Sequence, residues 1–126
     1  MPSSFKSKDL FGSGPHRFAQ GRQGQVMLSW IALGTTQPGT LAIGLTELDV
    51  IVAGRLVAPN EAALWLLREA ITAELQETPT PGTLIDLHAR QWPDMSFIDY
   101  READRTDRAR FYSLSYTATF RRIREY

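Results

Sequence analysis

The residues of this 126-residue chain whose types could do chemistry are two histidines, a glycine-flanked serine and the aspartates around one tryptophan. His16 lies in "DLFGSGPHRF", where Gly12 and Gly14 would let the backbone approach a phosphate. A Walker loop needs a lysine after its glycines and a dinucleotide turn needs a third glycine; this stretch has neither. Ser13 sits directly between two glycines, whereas a nucleophile elbow requires Gly-x-Ser-x-Gly. His16 and His88 are far apart, with no His-x-x-His or His-x-x-x-His pair, and His88 reads as a structural histidine at a strand end. Asp86, Asp94 and Asp99 flank Trp92 in "IDLHARQWPDMSFID", a composition that could suit a sugar site, but strand edges and turns account for these aspartates better. Cysteine is absent, which removes disulfides, thiolate nucleophiles and the common zinc cages together. No catalytic, metal-binding or cofactor-binding residue is therefore expected.

Charge narrows the partners. Fourteen basic residues balance fourteen acidic ones, so no global field draws the protein to nucleic acid or anionic lipid. Arg101, Arg105, Arg108, Arg110, Arg121, Arg122 and Arg124 crowd the last quarter, interleaved with Glu102, Asp104, Asp107 and Glu125. Alternating signs of this kind predict a solvated or interface-paired face. "READRTDRAR" reads as an exposed loop at a hairpin tip, with Arg105 and Arg108 as candidates for ion pairs between subunits. Tyr112 and Tyr116 could stack bases, but they share a strand face with Leu114 and Phe120 and read as core. A 43% hydrophobic and 22% charged composition is that of a globular domain, with no apolar run near the roughly 18 residues a membrane span needs. The N-terminus lacks the apolar segment of a secretory signal, which predicts a cytoplasmic location.

The elements follow from periodicity. "QVMLSWIAL" has Val26, Leu28, Trp30 and Ala32 on one strand face and Met27, Ile31 and Leu33 on the other, the pattern of a central strand covered on both sides. "LAIGLTELDVIVAGRLVA" changes phase at Thr46-Glu47, which requires a bulge, bend or hairpin. Asn60 to Gln76 is the one helix, with Asn60 as N-cap, a stripe of Leu64, Leu67, Ile71 and Leu75 widened by Ala63, Leu66 and Ala70, and Trp65 among the polar residues opposite. "TLIDLH" and "MSFIDY" read as strands, and "RFYSLSYTATFR" alternates strictly as a half-buried antiparallel strand. Four strands, one helix and three strands predict a mainly β (α+β) fold: an antiparallel β-sandwich or partly closed barrel with one flanking helix. Residues 1–24 read as an N-terminal arm and turn, and residues 25–126 as the single domain. Phe5, Leu10, Phe11 and Phe18 are the arm's apolar anchors, either packing on a neighbouring subunit, for which Phe5, Leu10 and Phe11 are the candidates, or folding back over their own core. Trp65 on the polar side of a helix is a second candidate interface residue.

Taken together, "DLFGSGPHRF", "LDVIVAGRLVAPNEAALWLLREAI", "TLIDLHARQWPDMSF" and "RFYSLSYTATF" resemble the tail-tube and distal-tail (Dit-like) structural proteins of tailed bacteriophages. That resemblance implies a β-sandwich flanked by one helix, assembled as a homo-oligomeric, usually hexameric, ring. It implies inter-subunit sheets around a channel through which DNA passes without specific binding, contacts with adjoining tail proteins, no cofactor and no membrane. The location it implies is the virion tail, after synthesis in the bacterial host cytoplasm. Two other classes remain open at this point: a small-molecule-binding or enzymatic β-barrel, and a monomeric phage adaptor.

Overall fold

The computed structural model describes the chain except residues 1–2, 22, 32–33, 35, 109–110 and 124–126. The fold is mainly β with a single helix, and its principal sheet curls into an antiparallel half-barrel. In chain order the elements are β1 (Ser4–Phe5), β2 (His16–Gln20), β3 (Gln25–Trp30), β4 (Gly39–Leu45), β5 (Asp49–Ala58), α1 (Glu61–Thr72), β6 (Gly82–Ile85), β7 (Gln91–Arg108) and β8 (Phe111–Arg121). Six strands form the half-barrel in the order β1-β6-β7-β8-β5-β2, while β3 and β4 form a separate two-stranded sheet.

The centre of the half-barrel is β5 paired with β8 in unbroken register from Asp49↔Arg121 to Ala58↔Tyr112. Strict alternation places Val50, Val52, Leu56 and Ala58 of β5, with Leu114, Tyr116, Ala118 and Phe120 of β8, on one buried face. Over that face lies α1. Asn60 caps it by accepting a hydrogen bond from the Ala63 N–H at 2.8 Å, and Leu64 and Ile71 are fully buried beneath it. The helix stops at Thr72, short of the expected Gln76. Tighter turns, Glu74 N–H to Ile71 C=O and Leu75 N–H to Thr72 C=O, swing the Glu74 carboxylate inward to accept from Lys8 Nζ at 2.6 Å. Leu75, expected in the buried stripe, is consequently exposed, and so is Leu66.

The N-terminal segment is not a separable arm. Phe5 and Phe11 are completely buried and Leu10 nearly so, with Phe5 against Phe120 at a ring separation of 4.8 Å and Phe11 stacked on Tyr116 at 5.5 Å. A half-barrel with one helix leaves part of its concave face open, and these side chains fill it. Residues 1–24 also supply both edge strands, β1 and β2. Those edges approach each other across the seam, where Ser3 Oγ and His16 Nε2 lie 2.7 Å apart. The His16 Nδ1–H donates to the Gly14 carbonyl at 3.1 Å, so Nε2 accepts from the Ser3 hydroxyl in the neutral ring. His16 thus fastens the seam, and the glycines of "FGSGPH" form the turn that brings it there.

Two further expectations change. "READRTDR" is not a loop: Arg101 to Arg108 continue β7, paired with β8 through Arg108↔Phe111, with irregularities between Phe97 and Asp99 and between Glu102 and Arg105. Backbone pairing on one side suffices to hold a strand whose side chains are solvated on both faces. The strand beginning at Gln25 is not central either; it belongs to the detached hairpin. No described helix is long and apolar enough to cross a membrane.

The Tyr116 hydroxyl is buried with no hydrogen-bond partner among the described residues, and burial, followed by the neighbouring Tyr100, pushes its phenol well above the ordinary value. An unfolded tyrosine ionises near pH 10 while the folded one keeps its proton, so this contribution to stability is complete below about pH 10 and falls away above it. Tyr116→Phe removes an unsatisfied hydroxyl; it should leave stability at pH 7 unchanged or raised by up to about 1 kcal/mol and flatten the alkaline decline. Thermal melts of both proteins from pH 7 to pH 11 check this, and a variant that melts earlier at neutral pH would mean that the hydroxyl is bonded.

Candidate functional site

The residues that first suggested chemistry are occupied structurally. Ser3 and His16 are paired as a nucleophile and base would be, but Ser3 is completely buried and the third partner is a backbone carbonyl, which cannot stabilise an imidazolium as a carboxylate does. Asp86 Oδ1 accepts from the backbone N–H groups of His88 and Arg90, both at 2.9 Å, and so forms the β6–β7 turn. Asp94 occupies a left-handed backbone position inside β7, and Asp99 pairs with Arg101 at 3.5 Å. The three aspartates are held by separate local structures and do not converge. Among the described residues no three of His, Cys, Asp and Glu converge as metal ligands.

Part of the arginine run is paired inside the chain. Arg105 forms ion pairs with Glu61 at the start of α1 and with Asp107, and the guanidinium beside Glu61 holds that carboxyl below the usual range. Arg68 clasps Glu102 with two bonds of 2.7 and 2.8 Å, and Arg121 clasps Asp49 with bonds of 2.7 and 3.1 Å. Arg105, expected to pair between subunits, instead ties β7 to α1 of its own chain. The reason is register: Arg105 lies opposite Leu114 on the helix-bearing side of the sheet. Arg108 lies opposite Phe111 and faces the other side, with no ion pair among the described residues.

What stands out is the hairpin. β2 and β5 pair at the edge of the half-barrel, and after a short break the same two chain segments pair again as β3 and β4. Gly21 N–H donates to Asp49 C=O and Thr46 N–H to Gly24 C=O, both at 2.8 Å, so the ladder bridges the break that the phase change at Thr46-Glu47 signals. Beyond it the hairpin packs substantially on no other described element. Every described residue of β3 is exposed, as are those of β4 apart from half-buried Gly39. The large apolar side chains Val26, Met27, Leu28, Trp30, Ile31, Leu41, Ile43 and Leu45 are between 44% and 71% exposed. Register puts Leu28 opposite Leu41 and Trp30 opposite Gly39 on one face, with Met27 opposite Ala42 on the other. A Cβ at Gly39 would fall on the Trp30 indole, so the ring lies flat over the glycine and stiffens the hairpin.

No family model matches the chain, and no curated protein is similar to it in sequence. The surface itself therefore carries the reading. Its edges also differ in character: β1 is only two residues long, β2 carries Arg17, and the outer half of β7 is dense with charge. Those are the usual protections of an exposed edge, and β3 and β4, with no charged residue between Gln25 and Leu45, have none of them.

A second apolar surface lies on the outside of α1. Ala62, Trp65, Leu66 and Ala73 project away from the core, with Trp65 50% and Leu66 66% exposed. The Trp65 indole N–H donates to Glu69, and the Arg68 guanidinium stacks on its ring at 4.7 Å. The Arg68–Glu102 clasp fixes that stack in turn. Of the residues expected at an interface, Trp65 and Arg108 are thus at the surface, Phe5, Leu10 and Phe11 are core, and Arg105 is spent within the chain. The hairpin was missed because its two-faced apolar pattern is that of a buried central strand.

Proposed function

We propose that the protein is a ring-forming structural subunit of a bacteriophage tail or tail-like particle, and that the β3–β4 hairpin is the part that each copy gives to its neighbours. The observation that supports this most is the hairpin's composition. A strand pair free of charge, with Leu28, Trp30, Leu41, Ile43 and Leu45 on one face and Met27 and Ala42 beside Ser29 and Thr40 on the other, has the makeup of a sheet interior, yet no other described element packs substantially on it. Eight large side chains at about half exposure present on the order of 800 Å², the area one partner contributes to a standard stable interface. Surface patches of that size mark association. The tail assignment comes from the resemblance of the sequence segments; the mainly β fold with one flanking helix is consistent with it.

Under this reading the purified chain forms discrete rings at high concentration, seen by negative-stain imaging and as one fast boundary in sedimentation velocity. A monomer at every concentration, and still a monomer when the adjoining tail proteins are supplied, would overturn it. DNA passes through such a ring without being held. Random duplex DNA should show no binding at physiological salt, because acidic residues are interleaved with the arginines of the last quarter and Arg101, Arg105 and Arg121 are already paired with carboxylates. Micromolar binding that falls steeply with salt, as counterion release requires, would point to a nucleic-acid-binding module instead.

A further inference from the structure

A closed ring needs a heterologous contact, in which one patch of each copy meets a different patch of the next. The hairpin is one such patch. We infer that the other is the outer face of α1: the hairpin face bearing Leu28, Trp30 and Leu41 of one copy lies across Trp65 and Leu66 of its neighbour. This rests on the ring-subunit reading and names the surface that receives the hairpin.

Edge pairing between hairpins would satisfy their backbone groups but leave their faces wet; a sheet face is covered only by a second layer stacked upon it. The outside of α1 is suited to be that layer. Most helices of a single domain bury one stripe and solvate the other, but α1 buries Leu64 and Ile71 inward and presents Trp65 and Leu66 outward. Ala62 and Ala73 beside them keep the surface low enough for a sheet to approach. Trp65 is the anchor expected at the centre of such a contact. Its ring is immobilised in the free chain by Arg68 and Glu69, so little rotamer freedom remains to be lost on docking. The charged groups at the rim of this face are already paired: Glu61 with Arg105, and Arg68 with Glu102. Glu69, on the face itself, accepts from the Trp65 indole N–H, and that charge-assisted bond offsets part of the desolvation cost its carboxylate meets under an uncharged hairpin. Among the described residues the hairpin makes no substantial contact with the helix of its own chain, which leaves the helix face open to another copy's hairpin.

The natural chain has no cysteine, so introduced thiols report proximity without background. Leu41→Cys and Leu66→Cys are made singly and together, oxidised mildly at a concentration where the parent assembles, and run on non-reducing gels. The double variant should give a ladder of disulfide-linked oligomers, while each single variant stays as monomer on the gel. Dimers from Leu41→Cys alone would place hairpin against hairpin, and dimers from Leu66→Cys alone helix against helix; either overturns the inference. Leu28→Cys with Ala62→Cys serves as a second pair in case one position tolerates no thiol. No ladder from either pair, in assemblies that sedimentation shows to be intact, also overturns it while leaving the ring. If the parent never assembles, the ring reading falls with it.

Discussion

Deleting residues 1–11 should abolish cooperative folding. The deletion removes Phe5, Leu10 and Phe11 from the core, the whole of β1, and the Ser3 hydroxyl that fastens His16 across the seam. Truncating a buried phenylalanine to alanine costs about 3–5 kcal/mol. The whole stability of a domain this size is only about 5–15 kcal/mol, so losing two phenylalanines and a leucine together exceeds what remains. Phe11→Ala alone should lower the melting temperature sharply without preventing folding, since Tyr116 and Phe120 would lose one of the rings packed on them. Circular dichroism melts of the truncated and point variants decide the matter. A truncated chain that still melts cooperatively near the parent temperature would return the N-terminal segment to the status of a surface arm.

Excising the hairpin should do the opposite: leave the fold and remove assembly. Gly24 and Thr46 are already hydrogen-bonded across the ladder at 2.8 Å, so replacing residues 25–45 with Asn-Gly joins ends that stand at turn distance. No core side chain is lost, because none of the buried residues lies between Gln25 and Leu45. The shortened protein should melt within about 1 kcal/mol of the parent's stability, as surface changes remote from the core do. It should also remain monomeric at concentrations where the parent assembles. Loss of cooperative melting would mean that the hairpin supports its own chain, and undiminished assembly would mean that association runs through some other surface.

These two segments are where sequence and structure part company, for different physical reasons. The body of the fold was legible. Strict alternation in "RFYSLSYTATFR" gave β8 and its buried face, Asn60 marked the start of α1, and the phase change after Leu45 marked where the hairpin leaves the sheet. Phe5, Leu10 and Phe11 show no periodicity, because they reach the core from a two-residue strand and the bend that follows it, and segments so short carry no record of which chain they pack against. β3 has a clear pattern, but periodicity reports only that both faces are apolar and not whether the cover comes from the same molecule. "READRTDR" misled in the other direction: charge on both faces suggested a loop, whereas pairing with β8 along one edge is enough to make a strand. The pairing of Arg105 with Glu61 and of Arg68 with Glu102 depends on that register, which the sequence does not display.

The central claim is that the hairpin, bare in the single chain, is covered by another copy. Hydrogen exchange of the backbone amides between Gln25 and Leu45, followed by mass spectrometry over a series of protein concentrations, tests it most directly. A two-stranded ribbon alone in water opens readily, so exchange there should be fast in dilute protein. As concentration rises, the account predicts protection of β3 and β4 in step with assembly, joined by slower exchange in α1, while β5 and β8 stay protected throughout. Hairpin amides that exchange equally fast at every concentration, in a protein that has demonstrably assembled, would contradict it.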